Sequence, residues 1–543
     1  VLYVAADLPR HALDDVDGLY TVVARGMVVR HDWVTPYADG VRFLDKPPLL
    51  YWVMGGAYLV FGSSGFAGRL PLIAAVLGTA ALLASAAARA GKRAAGAQGA
   101  LCFGLCVGTF LFTRTTQPDT LLVFFEALAF WAFAEWNREP RTAPALLFYA
   151  ALAGGMLSKG LIGVVLPLGG VVLFLLWVRG LRSLLRLEPW RGPLLFLVLV
   201  VPWFVAAALR NPGFLYHFFV EEHLLRFFGA REPHDYTSVS LPLFWGLILV
   251  WLLPWTPLLP AVVGLVRREP GELVKLNAAW ALFGLGFFSL SSRIEHYAFV
   301  LLPPLGLLLG VVLDRFVDHG EARRGVVASG ALLLGLGLGL VAASFVPLPA
   351  AGRPMGTHST DFGPLFYLPQ EIVARLRVLA LAAGLGLALG GTAVLVAVRR
   401  GRRALATLLL AAVATLLCGL EARALLLCEP SNSSHVFGEA LAQIARPGDR
   451  VFLMGDFELG NSLLADVDMP LLVFDGKASV LEWGLRFPDA PPREVTRQEF
   501  LASFGGRTRV FLLAPAEAAG GLRLPRSYEV LRSAGRVLLS NEP

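Results

Sequence analysis

The stretch Asp14-Asp15-Val16-Asp17, running on through Leu19-Tyr20 and Phe43-Leu44-Asp45-Lys46-Pro47-Pro48 to Tyr51-Trp52, packs charge and aromatic residues between two apolar runs. What flanks it decides the fold. Of 543 residues, 56% are hydrophobic and only 16% charged, with a mean hydropathy of +0.64; soluble chains carry charge on roughly a quarter of their residues. The chain reads as a polytopic α-helical membrane protein. About thirteen apolar runs recur before residue 428, each near the roughly 20 residues a helix needs to cross a bilayer. The first is a stub, Val1 to Ala6, and because no Met opens the chain it is expected to begin partway through span one, so no signal peptide can be judged. The others are expected at 68–88, 94–113, 119–136, 143–158, 160–178, 193–209, 241–266, 274–291, 297–314, 325–347, 375–398 and 404–427.

The connections divide by charge. One set holds Arg89, Lys92 and Arg93; Arg138 and Arg141; Arg179, Arg182, Arg186 and Arg191; Arg267, Arg268 and Lys275; Arg323 and Arg324; and Arg399, Arg400, Arg402 and Arg403. Such a bias faces the cytoplasm. The net charge of +7 is then topological, and a nucleic-acid partner loses its main support. The opposite side receives 7–67, the turns at Gln117-Pro118-Asp119 and Ser158-Lys159-Gly160, the loop 210–240, the corner Ser291 to His296, the loop 348–374 and everything after Cys428. Asp14, Asp15, Asp17, Asp45, Lys46, Asp119, Lys159, Glu221, Glu222, His223, Arg226, Arg293, Glu295 and His296 all fall there. Ionisable groups at span ends are costly unless paired or wet, which points to one shared cavity.

Cys102 and Cys106 lie four apart on one apolar helix, Cys418 lies in the last span, and Cys428 alone is expected outside, so neither a disulfide framework nor a cysteine zinc site is expected. From 429 to 543 the composition is that of a soluble domain. A helix is expected over 433–444 and β-rich runs over 450–454, 471–474, 509–513 and 537–539, the pattern of a small α/β domain. It has no glycine-rich phosphate loop after a strand, and an accessory cap or docking role is favoured.

Several motifs then occur in order: Leu19-Tyr20 to Ala24-Arg25-Gly26-Met27, His31-Asp32-Trp33-Val34-Thr35-Pro36, Gly40 through Trp52, Phe61-Gly62, Arg114 to Asp119, Leu157-Ser158-Lys159-Gly160, Tyr216 to His223, and Phe288 to Ser292. Together they resemble the bacterial aminoarabinose-transferase-like and protein O-mannosyltransferase-like glycosyltransferases over about residues 13 to 310. The resemblance implies a GT-C fold with its catalytic first loop at 7–67. It implies an integral membrane enzyme that moves a sugar from a polyprenyl-phosphate (undecaprenyl-phosphate type) donor to a lipid, glycan or protein acceptor at the outer face of the bacterial cytoplasmic membrane. The sugar and acceptor stay open, lipid A modification with aminoarabinose being the best-known branch.

An inverting transfer needs a carboxylate for the acceptor and cations for the leaving phosphate. The family's acidic pair falls at Asp15 and Asp17, although this chain reads Asp-Val-Asp where relatives read Asp-Glu; spacing alone makes an Asp there a helix N-cap. Asp119, after Pro118, suits a helix N-terminus by itself, and the family match makes it a second acid of the site. Lys46 and Lys159 are the donor-phosphate cations, with Arg226, Arg293 and His296 as weaker additions; the plain alternatives are snorkelling lysines and an Arg293–Glu295 salt bridge. The resemblance also implies a divalent metal (zinc, or magnesium or manganese) on Asp45 and His223, against which stands a simple His–carboxylate hydrogen bond, since closed zinc sites have four ligands. Trp33, Tyr37, Tyr51, Trp52, Tyr216 and Trp255 can stack on a sugar or serve as interfacial belt residues. The rival classes are a transporter or flippase, expected to show internal repeats and midplane sites that are not visible here, and a non-catalytic receptor, which leaves the first loop unexplained.

Overall fold

The computed structural model describes residues 1–543 except 179, 232–237, 269–270 and 347–368. Arg179 and most of the 348–374 loop therefore lie outside the described residues. Each of the twelve apolar blocks is helical. Gly65–Arg89, Pro118–Arg138, Thr142–Lys159, Ile162–Val178, Arg191–Arg210, Glu272–Leu290, Arg323–Phe345, Gln370–Arg399 and Arg403–Asn432 are each one helix. Three blocks are interrupted: Arg93–Gly104 is followed by Val107–Phe112, Leu241–Trp251 meets the next segment at a 102° bend, and Leu302–His319 is entered through a 3₁₀ turn over Glu295–Leu301. Among the described residues seven helices are long and apolar enough to cross a membrane, eight if the bent pair counts as one. The sequence count of about thirteen is larger because it admits short and broken helices.

The first loop is not a loose connection. Helix Val16–Arg30 leads into a small hairpin, β1 (Tyr37–Ala38) and β2 (Val41–Arg42), whose turn at Asp39-Gly40 has positive φ at both residues. The chain then passes Asp45-Lys46-Pro47-Pro48 into helix Leu49–Phe61. Helix Val16–Arg30 buries Leu19, Tyr20, Val23, Ala24 and Met27 in a core shared with Leu50, Tyr51 and Met54 on one side and with Leu453, Leu463, Val473 and Leu513 of the C-terminal domain on the other. The helix is a middle layer between membrane segment and domain.

That domain is a five-stranded sheet of order β4-β3-β5-β7-β6, with β3 (Arg450–Met454), β4 (Leu471–Phe474) and β5 (Val510–Pro515) parallel, and β6 (Tyr528–Ser533) and β7 (Arg536–Ser540) antiparallel. Alternation within the strands feeds two faces. Val451 and Leu453 point to the first-loop helix, while Phe452 packs on Phe500 and Phe504 of helix Arg497–Phe504. The expected runs match β3, β4, β5 and β7. Strand β6 escapes them because it is a polar edge strand, half exposed, with no apolar alternation to announce it.

Beneath the first loop lies a buried ionic knot. Arg10, Arg69 and Arg114 are all buried, and Asp7 and Asp17 lie buried among them. Arg114 Nη1 is 3.0 Å from Asp7 Oδ2, and Arg69 Nη2 donates to Asp17 Oδ2 at 2.5 Å and to the His11 carbonyl at 2.9 Å. Buried charges hold only when paired, so this knot ties the start of the loop to the membrane helices.

Candidate active site

The two acids of the Asp-Val-Asp run sit in opposite surroundings. Asp17 is buried: its carboxylate accepts from Arg69, from the Leu13 N–H at 2.9 Å and from the Thr116 N–H at 2.8 Å. Burial alone would raise its pKa, but Arg69 and these donors outweigh it and hold the carboxyl below the usual carboxylate range. A carboxylate so occupied is a clasp between the first loop and the turn before Asp119, which corrects its reading as a base candidate. Asp15, two residues earlier, is exposed. It stands at the N-cap of helix Val16–Arg30, where its side chain makes no cap bond, although the Val16 N–H acts on the carboxylate and lowers its pKa slightly. The surrounding protein, then Asp14 and Glu295, push its pKa up to about 6. A carboxyl titrating there is suited to general-base work near neutrality.

Asp119 occupies the first turn of helix Pro118–Arg138, with Pro at the first helical position. Lys159 is the last residue of helix Thr142–Lys159, and the two helices pack as antiparallel neighbours. The Lys159 ammonium donates to Asp119 and lies 4.4 Å from the centroid of the Tyr297 ring. His296 Nε2 is 3.9 Å from the other Asp119 oxygen. Of the consecutive Glu295 and His296, His296 lies against Asp119, while the charge of Glu295 reaches Asp15 and repels it.

The second group of charges comes from Asp45-Lys46 and from His217–Leu225, a π-helix, an element found mostly at functional sites. Its i→i+5 winding brings His217 and Glu222 to the same side. Lys46 Nζ lies 3.3 Å from Glu222 Oε2 and 3.2 Å from the Asp45 carbonyl; Arg226 reaches Glu222 at 2.7 Å and Arg231 at 2.5 Å. Lys46 and Arg226 are within electrostatic reach of Lys159, so the cations share one region.

The metal reading changes partner here. His217 Nε2 is 3.0 Å from Asp45 Oδ1, and Asp45, His217 and Glu222 offer ligand atoms within 4.8 Å of one another. Burial acts to raise Asp45, but His217, Arg231 and Lys46 outweigh it and hold its pKa at about 2. The oxygen and nitrogen donors suit a divalent cation, and Glu221, 2.6 Å from His217 Nδ1, is the second carboxylate that commonly orients a ligating histidine. His223 is not part of this group. Its Nδ1 lies 2.6 Å from the Phe218 carbonyl and its Nε2 accepts from the Leu161 N–H at 3.1 Å, so both ring nitrogens are engaged, and burial lowers its pKa to about 4. It braces the turn after Lys159. Gly160 has φ +93° there, and a Cβ on it would stand 2.2 Å from His223 Nε2, so only glycine fits.

Arg293 is also corrected. Its guanidinium donates to the carbonyls of Phe288, Ser289 and Ser291, closing the end of helix Glu272–Leu290. That makes it a helix cap in place of either a phosphate ligand or a partner of Glu295. Tyr20, His217 and Arg231 belong to the site without having been assigned a part in it. Tyr20 lies within reach of the charges on Asp45, Asp119 and Arg226, and its burial raises the phenol pKa. Tyr20 and His217 stand inside the motifs quoted above, which was the available signal; Arg231 had none beyond its charge.

Comparison with known proteins follows the same lines. Residues 45–205 match the family described as dolichyl-phosphate-mannose-protein mannosyltransferase. The chain is 32% identical over 333 residues to the undecaprenyl phosphate-alpha-4-amino-4-deoxy-L-arabinose arabinosyl transferase of Pseudomonas aeruginosa (strain UCBPP-PA14), covering 60% of this chain and 59% of that protein. It is 28% identical over 522 residues to the protein of the same name from Erwinia tasmaniensis, covering 92% of this chain and 88% of the relative. Its fold is that of ArnT from Cupriavidus metallidurans bound to undecaprenyl phosphate, with a TM-score of 0.84 over 99% of this chain and 96% of that one, at 22% identity.

Proposed function

We infer that this homologue of the aminoarabinose transferases, a membrane protein of GT-C fold, transfers a sugar with inversion from a polyprenyl-phosphate donor to a lipid, glycan or protein hydroxyl or phosphate. The observation that carries the reading is the gathering of Lys46, Lys159 and Arg226 in one region, where His296 lies against Asp119 and its neighbour Glu295 is within electrostatic reach of the exposed Asp15. The acceptor oxygen attacks the anomeric carbon on the face opposite the phosphate while Asp15 takes its proton. The bond from that carbon to the phosphate oxygen breaks, and its electron pair leaves on the phosphate. Lys46, Lys159 and Arg226 stabilise the charge that develops there, in a setting screened from bulk water. Asp119 orients Lys159 and His296.

Asp45, His217 and Glu222 would hold a divalent cation, and its charge would lock the first loop onto the π-helix. The sugar in the relatives' names, 4-amino-4-deoxy-L-arabinose carried on undecaprenyl phosphate, is the first donor to try, with lipid A as the first acceptor. The charge bias of the loops supports placement in a bacterial inner membrane, residues 1–428 being the transferase unit and 429–543 an α/β unit on the periplasmic side.

The test supplies radiolabelled undecaprenyl-phosphate aminoarabinose and lipid A to purified protein in detergent and in liposomes. Label appearing on the acceptor, and lost in Asp15→Asn and Lys46→Ala, is the expected result. Transfer that both substitutions leave unchanged would overturn the site. Label crossing the liposome without transfer would favour the transporter class.

A further inference from the structure

We propose that Asn461, in the C-terminal domain, is a positioning residue for Asp15, so that this domain completes the transfer site. The proposal rests on the reading of Asp15 as the acceptor-side base.

Asp15 has φ +69° and ψ −134°, a backbone conformation sparsely populated by residues other than glycine. Such conformations cost about 1–3 kcal/mol and persist where the surroundings over-determine them. Both of its peptide groups are held by the C-terminal domain. Its N–H donates to the Glu458 carbonyl at 2.8 Å, and its own carbonyl accepts from Asn461 Nδ2 at 2.9 Å. The preceding residue is anchored to the same region: Asp14 accepts from Ser462 N and Oγ at 3.0 and 2.7 Å, from Ser434 Oγ at 2.9 Å and from Arg536 Nη1 at 3.0 Å. Gly18, on the other side, lets the two segments touch. A Cβ at that position would stand 2.6 Å from Asn461 Oδ1 and 2.9 Å from Ser462 Cα.

The consequence is directional. An aspartate before a helix ordinarily turns its carboxylate onto the second or third helical N–H. Here the backbone is clamped, no such cap bond forms, and the residue stays exposed, within the electrostatic reach of Glu295. Asn461 is buried, its Oδ1 has no partner, and its amide hydrogen bond is the part of the clamp that a side-chain substitution can remove.

The experiment uses the full chain in detergent and the transfer assay above, recording kcat, donor KM and the pH profile for wild type, Asn461→Ala, Asn461→Asp, Thr496→Ala and Asp15→Asn. A misplacement of about 1 Å costs a reaction on the order of 100-fold. Asn461→Ala is expected to lose about 10- to 100-fold in kcat, with donor KM kept, because the phosphate cations come from other elements. The groups facing Asp15 are Asp14 on its own segment, Glu295 on the 3₁₀ turn and Glu458 on the domain. The largest cause of the raised pKa is the protein packed around Asp15, so a carboxylate that the lost clamp lets swing toward water titrates lower, and the acid limb of the kcat profile moves down from about pH 6.

Asn461→Asp keeps the volume, removes the donor and should reproduce the loss should the alanine variant not fold. Thr496→Ala breaks a capping box elsewhere in the same domain, and should keep the wild-type kcat and profile. Wild-type kcat and profile in both Asn461 variants, or the same loss in Thr496→Ala, overturns the positioning role. Turnover surviving in Asp15→Asn overturns instead the reading of Asp15 as base.

Discussion

The two sides of the site are built by opposite means. On the phosphate side every cation described has a carboxylate close by: Lys159 with Asp119, and Lys46, Arg226 and Arg231 around Glu222. These pairs join elements far apart in sequence, and they make the region rigid and nearly neutral before any phosphate arrives. On the acceptor side Asp15 stands among acids, and it is held by its backbone. The charge pairs keep cations ready for an anion that must displace a carboxylate, whereas the lone acid is kept basic near pH 6. Asp17 is the contrast: the same residue type, tied to Arg69, has its pKa held below the usual carboxylate range.

That contrast can be broken by substitution. The largest effect is expected for Asp15→Asn, a loss of about 10²- to 10⁴-fold in kcat with the melting temperature unchanged, because no fold-holding partner is lost from the side chain. A matching fall in melting temperature would show that Asp15 is structural as well. Lys159→Ala should do both kinds of damage, leaving buried Asp119, among the described residues, with only His296 at 3.9 Å, a cost of about 3 kcal/mol that thermal unfolding in detergent would register alongside lost transfer. Lys46→Ala strands no carboxylate, since Glu222 keeps Arg226 and Arg231. Its mark should be a kcat/KM for donor lowered about 10- to 100-fold, the worth of one charge-assisted hydrogen bond, with stability retained. Smallest is the response of the wild type to pH. A base must be unprotonated to act, so kcat should hold above about pH 6 and fall about tenfold per unit below it, and this limb should be absent from the residual rate of Asp15→Asn. A limb that persists in that variant assigns it to another group.

Much of the molecule was legible from local pattern. Among the described residues, each apolar block between charged connections is helical, and Asp119, Lys159 and Lys46, expected on one side, come into one region. The failures share one physical cause, which is that spacing reports what a residue can reach along its own element and nothing about partners elsewhere. Asp17 looked like Asp15 until Arg69, 52 positions away, entered its pocket. The family resemblance pairs His223 with Asp45, but both of its ring nitrogens are taken by backbone groups, and it is His217 that meets Asp45. Arg293 reads as a free cation in a corner until the carbonyls of the preceding helix end claim it.

The hydrogen bond from Asn461 to Asp15 spans 446 positions of chain. A ribosome therefore releases the acid into the membrane long before the residues that hold it exist. A chain that stops short of Asn461 has Asp15 without this clamp. On the proposed reading, the acceptor side of the site is complete only when the last fifth of the chain has been made.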